Sequence, residues 1–276
     1  MEDIIKAIVF GAVQGLTEFI PISSTAHLRV VPALLGWKDE GAAFSAVIQM
    51  GTLIATLIYF RKDIINLTRG FLLAVKNRDL FSNQESKIFM LIMVGTIPIA
   101  ICGLLFKGFI EGDARGLYVI STSLIVLAIV LYIAEKVGTK KKEFEEITIK
   151  DGIIIGLAQA LALIPGSSRS GVTITAGLFR GLKRDVTARY SFLLSIPAIG
   201  MSGLYELYSE RESLLNEDLM MMLIATFVAG VVGYMSMAFL IRYLKTHTNM
   251  LFIVYRIVLG IIILILLSQG VLSNLE

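Results

Sequence analysis

The sequence predicts an all-α integral membrane protein in which six transmembrane helices and two re-entrant helix hairpins form an inverted repeat. Of its 276 residues, 56% are hydrophobic and 17% are charged, whereas a soluble domain has about 45–50% apolar and about 25% charged residues. Six apolar runs are long enough to cross a bilayer, and two other apolar stretches are interrupted by proline and hydroxyl residues. We therefore expect one membrane domain over residues 1–276.

The composition also excludes several other classes of protein. Disorder requires low hydrophobicity, and a single cysteine, Cys102, excludes a disulfide scaffold and a cysteine-based zinc site. The net charge of +3 is too small to indicate a nucleic-acid partner. Glu2 and Asp3 stand where a cleavable signal peptide has basic residues, so we expect the first apolar stretch to belong to the fold.

The six predicted spans follow from length, because a helix needs about 20 mostly apolar residues to cross about 30 Å of hydrocarbon. The fourth span qualifies only if Glu206 lies near its end. The last contains Arg256 near its start, which we interpret as a structural residue whose side chain reaches the lipid headgroups. The spans cover residues 42–60, 88–106, 117–134, 190–208, 219–241 and 251–268.

Two interrupted stretches, residues 4–37 and 152–179, each predict a short helix, a break and a second short helix. Pro21 ends the first half-helix, because the residue before a proline is pushed out of the helical region. Lysine and arginine concentrate on the cytoplasmic side of a membrane. The segments 135–150 and 180–189 are both basic, so we expect the second hairpin to enter and leave on that side.

The same rule places the first hairpin on the outer face, because the loop 61–87 is also basic. The chain then divides into residues 1–134 and 135–276, each a hairpin followed by three spans, and an odd number of spans inverts the second half. Gly11-Ala-Val-Gln-Gly-Leu resembles Gly156-Leu-Ala-Gln-Ala-Leu, and the match slips by one residue where the prolines are aligned. Broken helices in equivalent halves are typical of a binding site near the bilayer midplane.

Polar residues of the first hairpin are candidates for that site, since unpaired polar groups are costly in hydrocarbon. Gln14 and Glu18 share one helix face at i, i+4 spacing. Ser23, Ser24 and Thr25 are typical N-cap residues. The helix they begin presents free N–H groups and a partial positive charge, which suit an anion.

The second hairpin has the same construction. Arg169 supplies a planar guanidinium that matches phosphate oxygens, although the segment lacks the spacing of a P-loop. Structural interpretations remain open, because hydroxyl residues often only cap helices and Arg169 could simply pair with Glu18. Hydroxyl donors in this hairpin come from Ser167, Ser168, Ser170 and Thr173.

The segments 14–27 and 165–173 resemble the two signatures of the undecaprenyl-diphosphate phosphatases, also called bacitracin-resistance proteins. The first signature is Glu or Gln, three residues, Glu, and then Pro-x-Ser-Ser-Thr-Gly-His, which here ends at His27. The second is Pro-Gly-x-Ser-Arg-Ser-x-x-Thr. Ala26 replaces the usual glycine, and Gln14 is the less acidic of the two allowed residues. Lesser blocks of the family resemble residues 47–51, 191–197 and 255–260.

The resemblance implies an enzyme that hydrolyses undecaprenyl diphosphate to undecaprenyl phosphate and inorganic phosphate. Such an enzyme recycles the lipid carrier of cell-wall synthesis and gives resistance to bacitracin. The resemblance also implies a divalent cation, Mg²⁺ or Ca²⁺, and an active site that opens to the outer face of the bacterial cytoplasmic membrane. A membrane lipid environment and an isoprenyl diphosphate substrate are the expected partners, and a homodimer is plausible.

Site roles follow as hypotheses from phosphoryl transfer, which needs charge neutralisation and an in-line nucleophile. Arg169 would clamp the diphosphate, Glu18 with Gln14 would hold the metal, and His27 would move a proton. Ser24 is the first choice of nucleophile because it lies three residues before His27, on the same face of a helix. Water or His27 itself stays open for that role. The diphosphate-binding hydroxyls would be those of Ser23, Thr25, Ser167, Ser168, Ser170 and Thr173.

Another class of function uses the same features. Inverted repeats with broken helices are a transporter design, so the protein could instead flip a lipid phosphate or carry a small anion. A membrane subunit without chemistry is a third possibility. Release of phosphate from a long-chain isoprenyl diphosphate distinguishes the enzyme from both.

Overall fold

The computed structural model describes residues 2–38, 40–209 and 219–274, and its secondary structure there is helical apart from one isolated bridge between Lys142 and Leu182. Three short 3₁₀ turns supplement the α-helices. The α-helices are α1 Glu2–Phe19, α2 Ser24–Leu35, α3 Gly41–Tyr59, α4 Arg61–Lys76, α5 Gln84–Leu105, α6 Lys107–Glu111, α7 Leu117–Val137, α8 Ile149–Gln159, α9 Arg169–Phe179, α10 Arg184–Ser209, α11 Leu219–Leu244 and α12 Met250–Ser268.

Each of the six predicted spans lies within or closely matches one long helix, namely α3, α5, α7, α10, α11 and α12. Within the described residues, length and hydropathy single out α5, α7, α11 and α12 as helices able to cross a membrane. Helix α3 joins them only together with α4, and this pair bends by 72° at Phe60. Helix α10 falls short because serines, tyrosines and Glu206 lower its hydropathy. The fold is therefore that of a multi-pass membrane protein with four or five clear spans.

The two interrupted stretches form helix–break–helix units, as their sequences predict. Ser23 caps α2 with its hydroxyl, which accepts from the Ala26 N–H at 3.4 Å, and Ser168 caps α9 in the same way from Gly171 at 3.2 Å. Both caps have positive φ, 77° and 66°. Non-glycine residues rarely adopt this conformation and tend to do so at functional sites. The two breaks therefore share one local geometry.

These caps correct the alignment of the two halves. Ser23 and Ser168 are 145 residues apart, and so are Gln14 and Gln159. Aligning Pro21 with Pro165 introduces a one-residue slip, which disappears when the caps are aligned instead. The register is then continuous because the cap, and not the proline, starts each second half-helix.

The first half-helix of each break packs against a span from the other half of the chain. Helix α1 lies along α11, and α8 lies along α5. The equivalent residues Gly11 and Gly156 make both packings possible: Gly11 lies directly against the backbone of Ala225, and a Cβ on Gly156 would be 2.5 Å from the Cα of Gly95. Helix α3 also packs on α10, and α7 on α12. This crossed packing brings the two breaks close together.

The basic segments before and after the second hairpin meet at one end of the molecule. The Lys183 N–H donates to the Lys142 carbonyl at 3.0 Å, and Lys142 bonds to the buried Asp151 together with Arg180 and Thr148. Burial alone would favour the protonated form of Asp151, but these hydrogen bonds hold its pKa below the usual range. This contact is compatible with a hairpin that enters and leaves on one side of the membrane, which stays a prediction.

Candidate active site

The two helix breaks meet at a cavity of about 470 Å³. Both hairpins and α3 contribute a set of polar lining residues, here called the floor, while α5 contributes apolar residues and α10 contributes both kinds. The ionic residues Lys107 and Glu206 also line the cavity and pair at 3.0 Å. The polar residues of the floor are Glu18, Ser23, Ser24, Thr25, Ser45, Gln49, Ser168 and Arg169.

Glu18 is the centre of this floor. Its Oε2 accepts from Gln14 Nε2 at 2.8 Å, Ser24 Oγ at 2.9 Å and Gln49 Nε2 at 3.3 Å. Gln14 is completely buried behind it, on the shared helix face that the spacing predicts. Gln49 is not among the site residues that the sequence predicts, although a lone amide in an apolar span indicates a polar partner.

Arg169, the first residue of α9, forms an ion pair with Glu18. A purely structural pairing of these two residues was one of the interpretations that the sequence left open. Both side chains nevertheless line the cavity, and the Arg169 side chain keeps 16% of its surface exposed. A charge-assisted pair that borders a cavity can exchange one partner for an incoming anion.

His27 does not line the cavity. Its Nδ1 lies 2.7 Å from the Ser23 carbonyl oxygen and must carry the proton there, so Nε2 accepts from the Tyr255 hydroxyl at 2.6 Å. The two rings are stacked with an interplanar angle of 8°. The sequence predicted that Ser24 would lie beside His27, but the Ser24 hydroxyl donates to Glu18 instead. The cap carbonyl and Tyr255 occupy both ring nitrogens, and this explains the difference.

Three of the predicted diphosphate ligands do not line the cavity. Ser170 Oγ bonds to Ser168 Oγ at 3.1 Å, and Thr173 Oγ1 bonds to Ser191 Oγ at 2.6 Å. Ser167 is fully buried, and its carbonyl accepts from an arginine of α12. These residues surround the second break and support its shape, whereas Ser168 and Arg169 reach the cavity.

That arginine is Arg256, and the position of its side chain differs from the one that the sequence predicted. We expected its side chain to reach the headgroups, but it is 0% exposed and extends inward to the second break. Tyr255 beside it reaches the first break through His27. Neither contact follows from the sequence of α12 alone, because both depend on how α12 packs.

Few side chains near Glu18 are suited to hold the expected divalent cation. No group of three or more His, Cys, Asp and Glu side chains suited to a metal occurs among the described residues. Glu18 supplies one carboxylate, and Gln14 Oε1 is buried without a hydrogen-bond partner. Hard cations take oxygen ligands, and Mg²⁺ is often held by one or two carboxylates together with phosphate oxygens of the substrate. These residues fit such a shared site.

The chain matches the family described as Bacitracin resistance protein BacA over residues 7–262. A protein of Chlorobium phaeobacteroides named undecaprenyl-diphosphatase is 55% identical over 97% of this chain and 98% of its own length. Proteins with the same name from Chloroherpeton thalassium and Myxococcus xanthus are 53% and 52% identical. These alignments cover 98% and 99% of this chain, and 99% and 92% of the respective relatives.

Proposed function

The chain belongs to the bacitracin resistance protein BacA family, and from this premise we propose that it dephosphorylates undecaprenyl diphosphate in the cavity between its two helix breaks. It is an undecaprenyl-diphosphate phosphatase, which yields undecaprenyl phosphate and inorganic phosphate and so recycles the carrier lipid of cell-wall synthesis. The main support for placing the reaction in this cavity is the ion pair of Glu18 with Arg169, which borders the cavity beside the Ser24 hydroxyl.

Arg169 binds the terminal phosphate first. A phosphate group competes with Glu18 for the guanidinium, which can form two parallel hydrogen bonds to phosphate oxygens. Ser23, Thr25 and Ser168 border the same space and add hydroxyl donors. The N-termini of α2 and α9 add free N–H groups and a favourable dipole. Behind them Ser167, Ser170 and Thr173 hold the second break in shape.

Ser24 is the nucleophile in this scheme. When Arg169 binds the phosphate, it releases the Glu18 carboxylate. Glu18 can then take the Ser24 proton through the existing hydrogen bond of 2.9 Å between the two side chains. Ser24 Oγ bonds to the terminal phosphorus as the bond to the bridging oxygen breaks, and the lipid monophosphate leaves. Water then attacks the phosphoserine, which releases phosphate and restores the Ser24 hydroxyl. Direct attack by water activated by Glu18 gives the same products in one step.

His27 has a positioning role in the observed geometry. Its Nδ1–H donates to the carbonyl of Ser23 at 2.7 Å, which steadies the positive-φ cap immediately before Ser24. Transfer of a proton to the leaving group by His27 requires its ring to leave Tyr255 and its Nε2 first to take up a proton, for example from water. We propose this second role for the substrate-bound state.

A divalent cation, Mg²⁺ or Ca²⁺, would be held by Glu18 and Gln14 Oε1 together with phosphate oxygens. When bound, it supplies neutralisation of the diphosphate charge. The buried and unpartnered Gln14 oxygen supports this proposal.

We also propose that the fold is an inverted repeat of residues 1–134 and 135–276, with six spans and two re-entrant hairpins. The common separation of 145 residues and the exchanged packing of α1 and α8 support it. The basic segments then face the cytoplasm of a bacterium, and the cavity opens to the outer face of its cytoplasmic membrane. A homodimer in the membrane would be compatible with this arrangement.

Phosphate release tests the proposal directly. Purified protein in detergent should release phosphate from a long-chain isoprenyl diphosphate in the presence of Mg²⁺, and EDTA should abolish this release. Glu18→Gln, Ser24→Ala and Arg169→Lys should each be folded and impaired. Normal turnover by these three variants would place the chemistry elsewhere.

A further inference from the structure

Arg256 is a buried arginine that the proposed reaction does not use. It is the largest of the fully buried side chains of the described residues. No carboxylate forms an ion pair with it in the described part of the chain, and its Nε and Nη1 lack hydrogen-bond partners. An arginine without a counter-charge is costly to bury, so its contacts require a functional explanation.

Its contacts are made to the backbone of the second break. Nη2 donates to the Ser167 carbonyl at 2.9 Å and to the Gly166 carbonyl at 3.4 Å, and a third carbonyl, from Ser123 of α7, lies at 3.4 Å. Gly166 has φ +88° and Ser168 has φ +66°. Arg256 thus attracts two successive carbonyls of a turn whose conformation is otherwise unfavourable.

Those carbonyls accept from Arg256 of α12, and neither Gly166 nor Ser167 lines the cavity. The next residues, Ser168 and Arg169, line the cavity and begin α9. The first N–H groups of a helix have no intrahelical acceptor, so holding the preceding carbonyls back leaves a donor-rich surface for an anion. The guanidinium also lies close to the first turn of α9, since a Cβ on Gly171 would be 2.6 Å from Nη1.

The first break is held from the same point of α12. Tyr255 donates to His27, and His27 donates to the carbonyl of the Ser23 cap. Two consecutive residues of α12 therefore steady the two breaks, one through a histidine and the other directly. The cavity lies between the two helix starts that they hold.

We infer that Arg256 is a positioning residue for diphosphate binding, which orients the turn 165–168 so that the start of α9 presents its donors to the phosphate. Its own charge, unopposed by a carboxylate, adds to the positive potential at that helix terminus. This inference rests on the proposed function, because it presumes that the diphosphate binds at the start of α9.

The test measures binding separately from turnover. Arg256→Lys, Arg256→Gln and the control Val254→Ala, a lipid-facing change on the same helix, are purified in detergent. The affinity of each for a non-hydrolysable isoprenyl methylenediphosphonate is measured together with kcat, KM and the thermal unfolding midpoint. Loss of a partner that orients a binding group typically costs about 10- to 100-fold. We expect that weakening for both Arg256 variants, with KM rising more than kcat falls and with a smaller defect for lysine.

Unchanged affinity in a folded Arg256 variant would overturn the inference. So would an affinity that falls only near the unfolding midpoint and recovers on cooling, because that pattern indicates a purely stabilising role. Should neither variant fold, Gly171→Ala places a methyl group 2.6 Å from Nη1; it should weaken binding similarly, and unchanged binding would contradict the inference. Wild-type protein that binds the analogue but releases no phosphate would refute the proposed function and leave this inference standing.

Discussion

Glu18 and Arg169, which are 151 residues apart in the chain, form an ion pair where the last turn of α1 meets the first residue of α9. Each is costly to bury alone, so each hairpin completes the charge balance of the other. The pair fastens the two hairpins together, and its position at the cavity keeps it accessible to an anion. In the proposed reaction, this one contact combines a structural role with a catalytic role.

Replacing both partners separates these roles. Glu18→Gln or Arg169→Gln alone leaves a buried unpaired charge and should destabilise the protein by about 3–5 kcal/mol. The double variant leaves no such charge, so its thermal unfolding midpoint should recover towards that of the wild type. Phosphate release should nevertheless stay about 100-fold or more below the wild-type rate. Recovery of turnover together with stability would reduce the pair to a structural contact.

The shape of the Arg169 side chain matters as well as its charge. Arg169→Lys retains a cation but loses the two parallel donors of the guanidinium. We expect kcat/KM for the isoprenyl diphosphate to fall by about 100-fold. Arg242→Lys, on α11 and outside the cavity lining, is the matched control and should have normal kinetics. Equal kinetics of the two variants would refute bidentate binding by Arg169.

Ser24 should be required for turnover and should carry the phosphoryl group. Ser24→Ala removes the hydroxyl that donates to Glu18, and we expect kcat to fall by at least about 100-fold. Rapid acid quenching of wild-type protein with labelled substrate, followed by peptide mapping, should show phosphate on Ser24. Ser82→Ala, in an exposed loop, should behave as wild type. A trapped phosphate on another residue, or none despite adequate trapping, would remove Ser24 as the nucleophile.

The sequence predicted the fold well where a single segment determines the result. The long helices follow from apolar length, and the two breaks follow from Pro21 and from serines that cap helices. Cap geometry also explains the error in the repeat alignment: a positive φ at Ser23 and Ser168 cannot be deduced from serine itself, which more often caps helices in an extended conformation.

The candidate site was harder to predict because its members meet through packing between distant helices. The partnership of Glu18 with Gln14 follows from their spacing, whereas Gln49 joins them only because α3 lies beside α1. The direction of His27 depends on Tyr255, and the inward path of Arg256 depends on the same helix. Helix spacing identifies which residues share a face, but it does not identify what that face contacts.

Asp151 should make stability depend on pH. Its pKa is held low by bonds from Thr148, Arg180 and Lys142 despite burial, so its stabilising effect is full above the unfolded pKa and is lost as the pH falls through the lower, folded value. Asp151→Asn should lower the free energy of unfolding by about 2 kcal/mol at pH 7, and the difference from wild type should shrink in acid. Glu143→Gln, at an exposed ion pair with Lys183, is the control and should change little. A difference that does not vary with pH would contradict this origin.

The orientation of the whole molecule can be tested by labelling cysteines introduced in a Cys102→Ser background. The positive-inside rule places the basic loops in the cytoplasm, so Ser82→Cys and Lys141→Cys should be shielded in intact cells from a membrane-impermeant maleimide. Gly108→Cys and Val271→Cys should react from outside. Gly108 has open space around it, and Val271 is exposed.

The proposed inverted repeat makes a sharper prediction for its second half. The start of α12 lies at the end of α7, because Asn249 bonds to Glu135, and its end lies at the start of α7, because the Leu117 N–H bonds to the Asn274 carbonyl. Positions 108 and 271 should therefore label together, and positions 82 and 141 should label only after the cells are permeabilised. Labelling of 82 and 141 in intact cells, with 108 and 271 shielded, would reverse the proposed orientation. Labelling of 108 without 271 would contradict the inverted repeat itself.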